Sequence, residues 1–278
     1  MRSRWAALAG LALAAAAGAA VAERPAAGPA PRIAAHRGGA ALWPENSLRA
    51  FRGALGLGVD FVETDVHLTV DGEPVLLHDP TLERTTTGTG AVRAARLADL
   101  AGVRLKGADG APTAERLPTL APLLDLLAPT RVELLLEIKV DAERARYAGI
   151  EEKVLGLLRA RGLAGRTIVL AFEPETLARV RALDPAIRTA LLIGWGRTRT
   201  DRLEPAEVVE RARRVGATHL GLHHRLVDTD VVAAARRAGI PLNAWTVNEE
   251  ADLRRVAALG VEIVTTDRPD LALRLAGR

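Results

Sequence analysis

Eight short apolar runs recur along this chain, most followed by an amphipathic segment, and that alternation restricts its fold more than any other feature. The runs fall at Arg32–His36, Phe61–Val66, Val132–Ile138, Thr167–Ala171, Arg188–Ile193, His219–Leu222, Leu242–Thr246 and Glu262–Thr265. Between them, segments such as SLRAFRGALGLG, EEKVLGLLRARGL and ADLRRVAALG carry apolar residues at helical spacing, and several stop at glycine. Strand–helix alternation builds a parallel sheet. Eight such units over about 250 residues predict a TIM (β/α)8 barrel. A doubly wound open sheet is the rival, but no glycine-rich fingerprint follows the first run.

A ninth run, Val75–His78, cannot be a parallel neighbour of Phe61–Val66. Thr69–Pro74 is too short for a helical crossover, and Asp71-Gly72 within it is a strong turn signal. The run is expected to return as a β-hairpin in the loop after the second barrel strand.

With 278 residues, 49% of them hydrophobic, the chain can enclose a sizeable core. It has no cysteine, which excludes thiol catalysis, disulfides and cysteine-ligated zinc. Aromatics make up only 3%, and the arginines are interspersed with acids, so no nucleic-acid partner is expected. Residues 1–22 read as a signal peptide: Arg2 and Arg4, an Ala/Leu run, then Ala20-Val21-Ala22 as a cleavage site. An uncleaved anchor is the alternative. Cleavage would leave a linker over 23–31 and a barrel domain over 32–278, exported to the periplasm or secreted, with no stable membrane anchor. The formal charge would fall from +4 to +2 with the loss of Arg2 and Arg4.

Function in a barrel of this kind collects at the C-terminal ends of the strands. The first run ends on His36 and Arg37. Glu63 and Asp65 lie one step apart on a single strand face, and the hairpin brings His78 back beside them. Glu137 and Lys139 share a face at the end of VELLLEIK. A lone buried acid would be read as a salt bridge to a core arginine. Three acids from two strands need a shared counter-charge, and oxygen-only ligands suit a hard divalent cation, Ca²⁺ or Mg²⁺. Two histidines suit general acid and base work. Arg37 and Lys139 would complement a bound anion, and Trp245 would form a pocket wall. Together these describe a phosphodiester hydrolase. His67 shares the face of the acids but falls past the predicted strand end, outside the expected site. His219 begins a strand, at the wrong end for catalysis, whereas His223 is a candidate for the pocket lining; His224 is ambiguous.

The pieces HRGG…PENSLRAF, DFVETDVHLTVDGEPVLLHDPTLERTTTGTG, LPTL, LLLEIK, AWTVN and VTTDRP resemble, in order, motifs of the glycerophosphodiester phosphodiesterase family. The likeness covers nearly the whole length after the leader. It implies metal ligation by Glu63, Asp65 and Glu137, catalysis by His36 and His78, and phosphate contacts from Arg37 and Lys139. It also implies a structural or phosphate-side role for Asn46. The implied reaction is metal-dependent hydrolysis of a small glycerophosphodiester to an alcohol and glycerol 3-phosphate. PENS stands where PENT is commoner. The short segment between the hairpin and LPTL is similar to the compact bacterial-type members. One alternative is a phospholipase D-like enzyme of the same superfamily that cleaves lysophospholipid or sphingolipid headgroups. That reading would need a greasy rim or a long insertion, and neither is evident in the sequence. Another is a barrel that binds without turnover, against which the intact histidine pair and acids stand.

Overall fold

The computed structural model describes residues 30–195 and 204–278, so the expected signal peptide and most of the linker lie outside the described residues. Eight strands form the barrel: β1 (Arg32–Ala35), β2 (Phe61–Leu68), β6 (Glu133–Ile138), β7 (Thr167–Ala171), β8 (Arg188–Ile193), β9 (His219–His223), β10 (Leu242–Trp245) and β11 (Ile263–Thr266). Each pairs in parallel with its neighbours in the order β1-β11-β10-β9-β8-β7-β6-β2, and the β1–β2 pairing closes the ring. The expected barrel is present, with strand ends shifted by one or two residues.

One helix follows each barrel strand: α1 (Leu48–Leu57), α3 (Leu120–Leu127), α4 (Ile150–Ala160), α5 (Pro174–Leu183), α6 (Pro205–Arg214), α7 (Thr229–Ala238), α8 (Glu250–Leu259) and α9 (Pro269–Leu275). Their apolar faces meet the outward residues of the strands in one large core that includes Val62, Leu134, Leu136 and Val169. A smaller core fills the barrel itself, from Ala34, Phe61, Leu135, Ile168, Leu170, Ala190, Leu192 and Ile263, with Trp245 packed against it. At the N-terminal end of the barrel Glu133 accepts from both Arg32 and Arg188, each at 2.5 Å. His219 opens β9 beside this cluster, at the end of the barrel away from the mouth, and burial, then Arg188, lowers its pKa to about 4.

The hairpin forms as expected: β3 (Pro74–Leu76) runs antiparallel to β2, with Val66 opposite Leu76 and His67 opposite Val75. This pairing extends β2 to Leu68, two residues past the predicted end, and takes His67 into the buried strand. Between the hairpin and α3, the chain is more organised than its sequence suggests. Helix α2 (Leu97–Leu100) and the antiparallel pair β4 (Arg104–Lys106) and β5 (Pro112–Arg116) surround a separate small core of Val75, Leu77, Leu82, Val92, Leu100, Val103, Leu105 and Leu117. That core anchors the far side of the loop carrying His78.

At the other flank, β1 stops one residue short of His36. Residues His36–Gly38 form a single 3-10 turn, in which Arg37 takes a left-handed conformation (φ 52°, ψ 33°) that a side chain adopts at a cost. Gly38 follows at φ +81°, and a Cβ there would lie 2.7 Å from Ala50 Cβ and 3.0 Å from the Ala50 carbonyl carbon. Only glycine lets this turn sit against α1. Gly38→Ala should lower the unfolding free energy by about 2–4 kcal/mol, the combined cost of strain and overpacking. A urea titration measures it; a loss below about 0.5 kcal/mol, the scatter of neutral surface changes, would contradict the account.

Candidate active site

All eight residues singled out from the sequence converge at the C-terminal end of the barrel. His36, Arg37, Glu63, His78, Glu137, Lys139 and Trp245 line a cavity of about 110 Å³, and Asp65 lies directly beneath, within reach of Lys139. Strand pairing sets this meeting. Asp65 and Glu137 are partners across β2 and β6, so the alternation of both strands turns Glu63, Asp65 and Glu137 to the same interior face.

One oxygen from each of the three acids can be chosen so that all lie within 4.8 Å of one another, and all three residues are buried. Burial, and then the charge of Asp65, raises the pKa of Glu63 to about 7. Burial and Asp65 also raise that of Glu137. Asp65 is held the other way: burial opposes its charge, but Lys139 and Arg37 outweigh it. Lys139 Nζ sits 2.6 Å from Glu137 Oε1 and 2.9 Å from Asp65 Oδ1. Both contacts are ion pairs, so this one buried ammonium is shared between two carboxylates. Three buried carboxylates that share one ammonium, with oxygens within 4.8 Å of one another and no sulfur among them, fit a hard divalent cation. Glu63, Asp65 and Glu137 could hold such an ion. Two of the six oxygens are fixed by hydrogen bonds: the Arg37 N–H donates to Glu63 Oε2 (2.8 Å), and Asn46 Nδ2 donates to Asp65 Oδ2 (3.0 Å). Asn46 also accepts from the Thr64 hydroxyl at 2.8 Å, so this fully buried amide orients the acidic strand.

Each histidine of the cavity has a carboxylate on Nδ1 at 2.6 Å: Asp267 for His36 and Asp79 for His78. Nδ1 is thereby committed, and Nε2 is the nitrogen left to face a substrate. Their environments differ. Burial works against charge on His36, but Glu63 and the hydrogen bond from Asp267 prevail and raise its pKa. For His78 burial comes first, reinforced by Lys139 and Arg37 against Asp65 and Asp79, and its pKa is lowered. Asp267 is held in turn by Asn248, whose Nδ2 donates to it at 2.6 Å. Sequence reasoning assigned no role to Asp79 or Asp267, although each lay inside a quoted motif. An acid directly after a candidate histidine was the available signal for Asp79; nothing local marked Asp267, which reaches His36 across 231 residues.

His67 is closer to the site than expected. It is wholly buried in β2, with Nδ1 2.9 Å from the Tyr147 hydroxyl and Nε2 3.1 Å from the His78 carbonyl oxygen. Burial lowers its pKa to about 4, so it stays neutral and its Nε2–H donates to the backbone of His78. His223 stands behind the cavity wall rather than in it, with its ring edge-on to Trp245 at 5.6 Å. Trp245 also meets Phe172 edge-on at 5.6 Å, and these rings with Leu170 and Leu192 form an apolar wall opposite the charged one. Gly221 makes room for it: a Cβ there would lie 2.4 Å from Leu192 Cδ2 and 3.5 Å from Trp245 Nε1.

The sequence model of the glycerophosphoryl diester phosphodiesterase family matches residues 36–271. The chain belongs to that family. It is 32% identical over 248 residues to a glycerophosphodiester phosphodiesterase of Caldanaerobacter subterraneus, covering 87% of this chain and 96% of that protein. Among solved structures, a glycerophosphodiester phosphodiesterase of Agrobacterium tumefaciens superposes with a TM-score of 0.72 at 25% identity, over 89% of this chain and all of the other. A phosphodiesterase of Oleispira antarctica, solved with the product sn-glycerol-3-phosphate, has a TM-score of 0.76 and 26% identity, over 90% of this chain and 98% of that one. As a member of this family the chain is a phosphoric diester hydrolase whose acidic group lies where the barrel places its chemistry.

The raised pKa of Glu63 has a consequence for stability without metal. Its carboxyl holds its proton to about pH 7 in the fold but only to about 4.5 unfolded, so stability falls as pH rises through that window. Glu63→Gln has no such proton to lose. In chelator, the variant and the parent should be of similar stability near pH 5, and the variant should be the more stable at pH 8. Urea titrations at both pH values check this; parallel pH dependence would contradict it.

Proposed function

We propose that this family member hydrolyses glycerophosphodiesters to an alcohol and glycerol 3-phosphate with Ca²⁺ or Mg²⁺ held by Glu63, Asp65 and Glu137. The observation that carries the reading is the convergence of three buried acids, two carboxylate-backed histidines and two cations on one small cavity. When bound, the cation would supply positive charge for the phosphoryl oxygens and a fixed point for a glycerol hydroxyl. Arg37, which lines the cavity while its Nε pairs with Asp65 Oδ2 at 3.4 Å, would bind a phosphate oxygen. Lys139 would balance the acids and the arriving phosphate. The Trp245 and Phe172 wall would take the carbon face of the glycerol and exclude water. His78, kept neutral, is suited to accept a proton from the nucleophile; His36, biased towards its charged form, is suited to donate one to the leaving alcohol.

Chelation should abolish turnover of glycerophosphocholine, and Ca²⁺ or Mg²⁺ should restore it. His36→Ala and His78→Ala should each lower turnover by about 10²–10⁴-fold. A glycerophosphodiester of p-nitrophenol separates their roles, because that leaving group needs no proton. The His36→Ala defect should shrink on this substrate while the His78→Ala defect persists. Equal defects on both substrates for both variants would overturn the assignment, and full activity in excess chelator would overturn the metal.

A second substrate class has one observation in its favour. Phe172 and Trp195, at the ends of β7 and β8, are 38% and 36% exposed, which gives the mouth an apolar side. A lysophospholipid could rest its chain there, and a panel that adds lysophosphatidylcholine tests that extension.

We propose as well that the protein is exported, to the periplasm or beyond the cell, and begins near Glu23 after cleavage at Ala22. Among the described residues no helix is long and apolar enough to cross a membrane. Intact mass of the protein from the envelope fraction should match residues 23–278; a full-length mass held by membranes would reverse the proposal.

A further inference from the structure

The geometry points to Arg84 as a positioning residue that locks His78 to the His36–Arg37 turn through two carboxylates, without itself reaching the substrate. Arg84 makes two forked contacts at once. Towards Asp79 it donates from Nε (2.5 Å) and Nη2 (3.0 Å). Towards Glu45 it donates from Nη1 (3.1 Å) and Nη2 (2.8 Å). Asp79 in turn holds His78 Nδ1 at 2.6 Å, and Glu45 accepts from Arg37 Nη1 at 3.1 Å. An unbroken polar chain therefore runs from Arg37, beside Asp65, through Glu45, Arg84 and Asp79 to the ring of His78.

The two ends of this chain come from different parts of the fold. Arg37 and Glu45 lie between β1 and α1, whereas His78, Asp79 and Arg84 follow the hairpin, on the segment whose Leu77 and Leu82 belong to the small core of the insertion. Nothing in the strand pairing of the barrel fixes the distance between these loops. A rigid fork bonded to both does so.

The plainer reading is a surface ion pair of little value. Arg84 is 47% exposed, and an exposed pair contributes little to stability. The two carboxylates are less open, at 15% for Glu45 and 25% for Asp79, and each already serves a second partner in the site. The contribution of Arg84 is thus to orientation rather than to folding. Misplacing a proton-transfer group by a fraction of an ångström costs rate far more than it costs stability.

This inference rests on the reading of His78 as catalytic, and the experiment separates the two. Arg84→Met should lower kcat for glycerophosphocholine by about 10- to 100-fold, with KM changed less than about threefold. Arg84→Lys keeps the charge but not the forks and should recover little of the loss. The rise in melting temperature on adding Ca²⁺ or Mg²⁺ should be that of the parent in both variants, showing the acid site intact. In a His78→Ala background, Arg84→Met should cost less than about twofold, because the group it positions is gone. Multiplying effects in that background, an unchanged kcat in Arg84→Met, or full recovery in Arg84→Lys would each overturn the positioning role. Full turnover by His78→Ala alone would instead remove the catalytic assignment of His78.

Discussion

The burial of three carboxylates on facing positions of two adjacent strands is the constraint on which the site depends. In water such groups repel weakly; inside a barrel each loses its hydration and feels its neighbours strongly. The fold meets this with Lys139 between Glu137 and Asp65, with the Arg37 side chain and backbone, and with the Asn46 amide. The compensation is incomplete. Glu63 is pushed up to about 7, and Lys139 is shared between Asp65 and Glu137. A site that leaves its acids short of counter-charge is prepared for a cation, and without one the same shortage weakens the fold.

From that centre the barrel mouth divides into two halves. Strands β1, β2 and β6 contribute the histidine turn, the acids and Lys139. Strands β7, β8 and β10 contribute Leu170, Phe172, Leu192 and Trp245. A glycerophosphodiester has the same division, with a charged phosphate and a carbon backbone. Gly221 on β9 is part of this arrangement, because its missing side chain is the space that Leu192 and Trp245 occupy.

The two histidines of the cavity stand on loops, where position has to be imposed. His36 is held by Asp267 from the far end of the chain, and His78 by Asp79 on its Nδ1 and by His67 on its carbonyl. Tyr147, after β6, fixes the other nitrogen of His67. Each ring is therefore steered by residues from at least one other segment, an arrangement expected where proton transfer demands a fixed angle and distance.

The sequence by itself determined the barrel, its hairpin, and which eight residues would meet at the barrel mouth. Those features depend on local quantities: the period of apolar residues, the turn at Asp71-Gly72, and which side chains alternate at strand ends. What only the tertiary structure decided are the partners. Asp267 for His36, Asp79 and Glu45 for Arg84, and Tyr147 for His67 join positions between 5 and 231 residues apart, and no periodicity marks such pairs. The placement of His67 also had to wait for the fold, because β2 is two residues longer only once β3 pairs with it. The small core of the insertion was equally hidden, its apolar residues being spaced by loop geometry rather than by a helix or strand repeat. Local patterning specifies which elements form, while the charge balance and orientation of a buried site come from contacts that closure of the barrel alone creates.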